Sequence, residues 1–181
     1  MTPTPSTLRF AAVGLLLAGC QPSIYFETES KGATTVQGSV LGGLLAVFPQ
    51  AAALTNIDVT QSQDFQNQGV RKEDVKSVMV KRLVLQVTSP SDADFQWLSS
   101  IRFFAETDGQ KDLIAFKEGI DQLGLVAPNP RLELELADVE LKPYVVAPSM
   151  SITTEASGRQ PPKDTTIEAT VRLGVDAVII K

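Results

Sequence analysis

The stretch Thr165-Thr166-Ile167-Glu168-Ala169-Thr170-Val171-Arg172-Leu173-Gly174-Val175-Asp176-Ala177 decides the fold. Ile167, Ala169, Val171, Leu173, Val175 and Ala177 fall on one face; Thr166, Glu168, Thr170, Arg172 and Asp176 take the other. Successive side chains of a strand point to opposite faces, so this two-residue period predicts a half-buried β-strand. A helix would scatter the same apolar positions round its axis.

Working outward, residues 131–136 repeat the pattern in miniature, with Leu132, Leu134 and Leu136 against Arg131, Glu133 and Glu135. Residues 101–106 and 112–116 flank Asp108-Gly109. Such a pair between apolar runs predicts an antiparallel hairpin, because glycine accepts a positive φ without steric cost. In 76–87 the apolar phase slips between Val78-Val80 and Leu83-Leu85-Val87, and a bulge near Lys81 and Arg82 reconciles the two halves. Residues 56–61 and 150–154 are expected to add strands, and 72–77 and 94–99 helical turns.

The Gly-containing run 36–48 reads as a buried strand in preference to a membrane-seeking patch, on the length rule for apolar runs. Residues 21–35 are polar and read as a tether. Ser89-Pro90, Ala127-Pro128-Asn129-Pro130, Pro143, Pro148 and 158–162 interrupt the strands with turn chemistry. About eight short strands with few helices predict a mainly β chain folded as one antiparallel β-sandwich over 33–181, an immunoglobulin-like strand order being one candidate.

Exclusions dominate the chemistry. The chain has no histidine, which removes Ser-His-Asp and Cys-His catalysis and histidine-ligated zinc. One cysteine allows no intramolecular disulfide, so the domain must be held by its core, and roughly 160 residues suffice for that. A net charge of −5 argues against nucleic acid and against electrostatic adhesion to anionic lipid.

Asp92 and Asp94 are the candidates for carboxylate chemistry or, with Asp138 or Glu140, for an oxygen-ligated calcium ion. The favoured reading makes them turn-capping and surface residues, with no metal and no cofactor. Phe95-Gln96-Trp97-Leu98 holds the single tryptophan. Phe103 should point inward with Ile101, leaving Trp97 and Phe104 as the aromatic candidates for a ligand or partner contact.

The N-terminus carries a resemblance. Arg9, an apolar run over 10–17 and Leu17-Ala18-Gly19-Cys20 together look like a bacterial lipoprotein signal peptide with its lipobox. The run is shorter than the ~20 residues that span a bilayer as a helix. The resemblance implies a cleaved segment 1–19, a lipidated tether 20–32 and acyl chains on Cys20 that hold the protein to membrane lipid. Gln21 follows the cysteine where an aspartate would signal inner-membrane retention in enterobacterial families, which is compatible with the outer membrane.

The expectation is therefore a non-catalytic binding or assembly module tethered in the bacterial cell envelope, with an envelope protein as partner and no nucleic acid. The alternatives are a carbohydrate- or calcium-dependent ligand-binding lipoprotein using Asp92, Asp94, Trp97 and Phe104, and, behind it, a carboxylate-based hydrolase.

Overall fold

A computed structural model describes residues 22–45 and 47–178 of the chain. In chain order the strands are β1 (Ser23–Val36), β2 (Val75–Ser89), β3 (Leu98–Thr107), β4 (Gln110–Glu118), β5 (Arg131–Glu133), β6 (Glu135–Leu136), β7 (Ser151–Gly158) and β8 (Thr165–Val178). Two short helices accompany them, α1 (Gln63–Gln68) and α2 (Lys142–Val145). The strands form two antiparallel four-stranded sheets, β1-β8-β2-β5 and β6-β4-β3-β7.

The alternating segment is the spine of the first sheet. Its apolar face, Ile167 to Ala177, is buried between the sheets against Leu85, Phe103 and Ile101, while Glu168, Thr170 and Arg172 remain partly open to water. Thr107 pairs with Gln110, so Asp108 and Gly109 form the two-residue hairpin loop that was expected, with φ of +78° at the glycine. The bulge in β2 is also present: Val80 faces Leu173 and Arg82 faces Arg172, leaving Lys81 unpaired.

Four antiparallel pairings are nested in sequence: β1 with β8, Ile57 with Met150, β2 with β5, and β3 with β4. A long hairpin wound this way gives the jelly-roll form of the two-sheet architecture. An immunoglobulin order would set the first strand beside the second. Here β1 lies beside β8, so the sandwich expectation holds and the immunoglobulin-like order does not.

Several segments depart from the sequence reading. Residues 21–35 were expected as a tether, yet Ser23–Val36 pairs with β8 along its whole length. Its inward positions include Thr28, Ser30, Gly32 and Thr34, small groups that conceal the strand period. Gly32 has to be small, because a Cβ there would sit 2.7 Å from Leu54 Cγ.

The run 36–48 is not a buried strand. Only Val36 and Phe48 of its large apolar residues are fully buried, and Val40, Leu41, Leu44 and Val47 are exposed. Residues 131–136 are two strands in different sheets, with the buried Leu134 between them donating its N–H to Leu83 O at 3.0 Å. The chain thus crosses from sheet to sheet and closes one side of the sandwich, and Leu136 ends up 39% exposed.

The opposite side is closed by 48–62. The strand expected at 56–61 is a single bridge, Ile57 to Met150, followed by the 3₁₀ turn Val59–Gln61. Of the two helical turns expected at 72–77 and 94–99, the first is shorter, a 3₁₀ turn at Lys72–Asp74. The second is not helical: its residues form a plain turn closed by Leu98 N donating to Phe95 O at 3.0 Å, and β3 already begins at Leu98.

Candidate binding face at the loop end

The pairing register sorts the connections into two ends. Ser23 pairs with Val178 at one end, while Val36 with Thr165, Ser89 with Thr166, and Leu98 with Gly158 mark the other. At this second end the connections 37–48, 90–97, 119–130 and 159–164 converge. Fourteen residues of β1 separate the ends, about 40 Å at the rise of a strand. Loops gathered at one end of a rigid sandwich are its usual place for binding residues.

Asp92 and Asp94 both lie here, and each is committed to holding a loop. Asp92 accepts from Lys163 Nζ at 2.6 Å, tying 90–97 to 159–164. The ammonium group holds the Asp92 carboxyl below its ordinary value, first through that hydrogen bond and then through its charge. Asp94 Oδ1 accepts from the Gln96 N–H at 3.0 Å, and its carbonyl accepts from Trp97 Nε1 at 2.7 Å. This is the capping role the sequence favoured for Asp94.

Trp97 is not an exposed contact, being only 4% exposed. The indole satisfies its one donor on Asp94 O, so burial leaves no polar group unpaired. Trp97 O accepts from Arg159 N at 2.7 Å, an approach that depends on Gly158. At φ of +148°, a Cβ on residue 158 would lie 2.3 Å from that carbonyl oxygen.

Trp97 underlies two neighbouring clefts. One, of about 320 Å³, is lined by Ser39, Asp94, Gln96, Trp97, Arg159 and Gln160, among others. The second, of about 160 Å³, lies between Asp92, Ala93, Trp97, Pro162 and Lys163. The Arg159 side chain is exposed and makes no ion pair among the described residues.

Beside the larger cleft, the loop after β1 is held by its backbone. Gly38 N donates to Asp164 Oδ1 at 2.8 Å, Ser39 N to Pro161 O at 2.8 Å, and Leu45 N to Gly158 O at 3.1 Å. Gly42 N closes a turn onto Ser39 O at 3.2 Å. Val40 and Leu41 are the corner residues of that turn, 91% and 93% exposed.

Phe104 belongs to a different surface. It projects, half-buried, from the outer face of the second sheet, with Lys111 Nζ 4.4 Å from its ring centroid. Six residues of β3 separate it from the strand's start at Leu98, on the order of 20 Å. The structure therefore brings Asp92, Asp94 and Trp97 together and leaves Phe104 apart.

Glu140, weighed as a calcium ligand with Asp92 and Asp94, is fixed near the opposite end. It accepts from Ser77 Oγ at 2.6 Å, Val78 N at 2.7 Å and Lys142 N at 2.8 Å. Among the described residues no group of three or more carboxylate, thiol or imidazole side chains is placed to hold a metal ion. Leu17, Ala18, Gly19 and Cys20 lie outside the described residues.

Sequence reasoning missed Arg159, Gln160 and the Val40-Leu41 corner. For the corner a signal exists: no charged side chain occurs between Lys31 and Asp58, and Gly42-Gly43 follows a Ser-Val-Leu that suits a turn.

The fold and this end together define a closed two-sheet β protein with a loop-end cleft. No protein-family model matches the chain, and no curated protein does. Among solved structures, one titled "Crystal structure of decameric BFDV Capsid Protein" matches with a TM-score of 0.40 and 8% sequence identity, over 87% of this chain and 100% of that one.

Proposed function

We propose that the protein is a non-catalytic binding or assembly module of the bacterial cell envelope, tethered to a membrane by acyl chains on Cys20 and engaging an envelope protein partner at its loop end. The observation that carries the reading is the division of labour at that end. Asp92 and Asp94, the carboxylates the sequence singled out there for acid-base chemistry, are engaged by Lys163 and by Gln96 N–H, while Arg159 in the neighbouring cleft makes no ion pair among the described residues. An exposed guanidinium beside a cleft suits recognition of a carboxylate-bearing segment.

The test is photocrosslinking from Gln96 and Gln160 in the lipidated protein within its native envelope. The reading expects a discrete protein adduct that is lost on Arg159→Glu and is absent when the crosslinker is placed at Lys117, on the second sheet. Attachment of glycan or lipid alone would overturn it. Tethering is read separately: acyl mass on Cys20 should vanish, and a precursor accumulate, on Cys20→Ala.

A further inference from the structure

The turn at residues 39–42 supports a second membrane contact, independent of any lipid on Cys20. We propose that Val40 and Leu41, backed by Leu44 and Val47, insert into the boundary between headgroups and acyl chains of a phospholipid bilayer. All four side chains are exposed, the corner pair almost completely. The tip is open on its outer side: a Cβ added at Gly42 would meet nothing within 4 Å. The segment that would insert brings no charge of its own, because no charged residue occurs between Lys31 and Asp58.

Area decides between lipid and protein as the occupant. Four aliphatic side chains offer roughly 60–120 Å² each, less than about 500 Å² together. A stable protein interface needs about 800 Å² per partner, and its core is depleted of charged residues. The charged surface beside the tip, with Arg159, Asp92 and Lys163, is the cleft proposed above for the protein partner and does not extend the apolar patch. A second copy of the chain meets the same shortage. A bilayer accepts a small aliphatic protrusion without a complementary surface.

The position of the tip favours the same occupant. The edge strand β1 begins at Ser23, three residues past Cys20, and ends at Val36, just before the turn. This arrangement depends on the tethering proposed above: a molecule anchored at Cys20 and lying along β1 would present its anchored end and its tip to one bilayer.

The experiment uses the full chain with Cys20→Ser, so that acylation supplies no contact, and with L41W as a probe. Vesicles are made of phosphatidylethanolamine and phosphatidylglycerol, or of phosphatidylcholine alone, with and without brominated acyl chains. Residues 10–17 are themselves apolar and can bind vesicles, but only insertion of the tip brings residue 41 within reach of the bromines. Trp97 lies under the cleft beside the tip, so the same titration on the chain that keeps Leu41 measures its contribution, which is subtracted.

The expected result is a blue-shifted, bromine-quenched emission from L41W in both lipid mixtures, insensitive to added salt. V40D should weaken that quenching about ten-fold or more, with thermal unfolding unchanged. Unquenched emission at residue 41, binding abolished by salt, or a tip buried instead by concentration-dependent self-association would each overturn the proposal. The acyl-mass measurement on Cys20 decides the anchor on its own, so failure of one reading is distinguishable from failure of the other.

Discussion

Gln50 and Thr154 make the two hydrogen bonds of a strand pair although only one of them is in a strand. Gln50 Nε2 donates to Thr154 O at 2.8 Å, and Thr154 N donates to Gln50 Oε1 at 2.8 Å. The side-chain amide thereby satisfies the free edge of β7, where an unpaired strand would invite association with another chain. Ile57 does the same for Met150 through its backbone, with bonds of 2.8 and 2.9 Å.

Replacing Gln50 by Ala should leave a nearly buried Thr154 N–H and C=O without partners, a cost of about 2 kcal/mol. For a domain of this size that is a fall in Tm of roughly 4–8 °C. Gln50→Glu should be no better, since a carboxylate keeps the acceptor but sets a second acceptor against Thr154 O. Thermal unfolding of both variants checks this; a Gln50→Ala protein as stable as the parent would mean the edge is not held by this residue.

Glu140 fastens the connection between β6 and β7 to β2 and should make stability depend on acid pH. Desolvation pushes its carboxyl up, but the Ser77 hydroxyl, the N–H groups of Val78 and Lys142, and the Lys142 charge outweigh this, so the net shift is downward from 4.5. A depressed folded-state value means stability that is present above 4.5 and lost as the pH falls through the folded value. Glu140→Gln should remove that loss and cost at most about 1 kcal/mol at neutral pH, because the group is well solvated. Urea melts at neutral pH and across the acid limb measure both effects, and identical pH profiles would remove Glu140 as the cause.

The legible parts of the fold were those in which side-chain volume follows the strand period. Along β8 every inward residue from Ile167 to Ala177 is apolar or alanine, and at Asp108-Gly109 the turn chemistry is local. β1 was illegible because its inward face carries Thr28, Ser30, Gly32 and Thr34, whose burial depends on Leu54 and Ser62 arriving from a segment far along the chain. The run 36–48 failed in the opposite sense: its apolar composition signals burial, but the backbone bonds to Pro161 and Gly158 turn Val40 and Leu41 outward. Asp92 and Asp94 were found with Trp97, whereas Arg159 had no local signal, since its role arises from the packing of two loops.

Tyr144 ties α2 to β4 and should protect the fold at alkaline pH. It is almost fully buried, and its hydroxyl donates to Asp112 Oδ2. Burial, then the hydrogen bond and the negative charge of Asp112, push its pKa up from 10.0 to about 12. A raised folded-state value gives stability that is complete below the unfolded value and is lost as the pH rises from 10.0 to about 12. Tyr144→Phe should cost about 1 kcal/mol at neutral pH and flatten the decline across that interval. Denaturant melts together with tyrosinate absorbance check it: a parent protein whose buried tyrosine ionises at the free value would contradict the assignment.

Gly158 joins the fold to the loop-end cleft, and its replacement separates two effects of glycine. At Gly42, φ is +61° and nothing approaches the missing Cβ, so Gly42→Ala should cost only the conformational penalty, about 1 kcal/mol. At Gly158 the conformation is also left-handed, at +148°, and the Cβ would meet Trp97 O at 2.3 Å, Ser99 N at 2.9 Å and Leu98 Cα at 3.0 Å. These are backbone atoms, which cannot rotate away as a side chain can. Relief requires β3 and β7 to part, with loss of the 2.7 Å bond from Arg159 N to Trp97 O. Gly158→Ala should therefore cost about 3 kcal/mol or more, and the tryptophan emission should move to the red as Trp97 becomes wet, whereas Gly42→Ala leaves it where it is. Equal costs for the two alanines, or an unshifted Trp97 in Gly158→Ala, would show that the close approach of β7 to the Trp97 carbonyl does not govern the cleft.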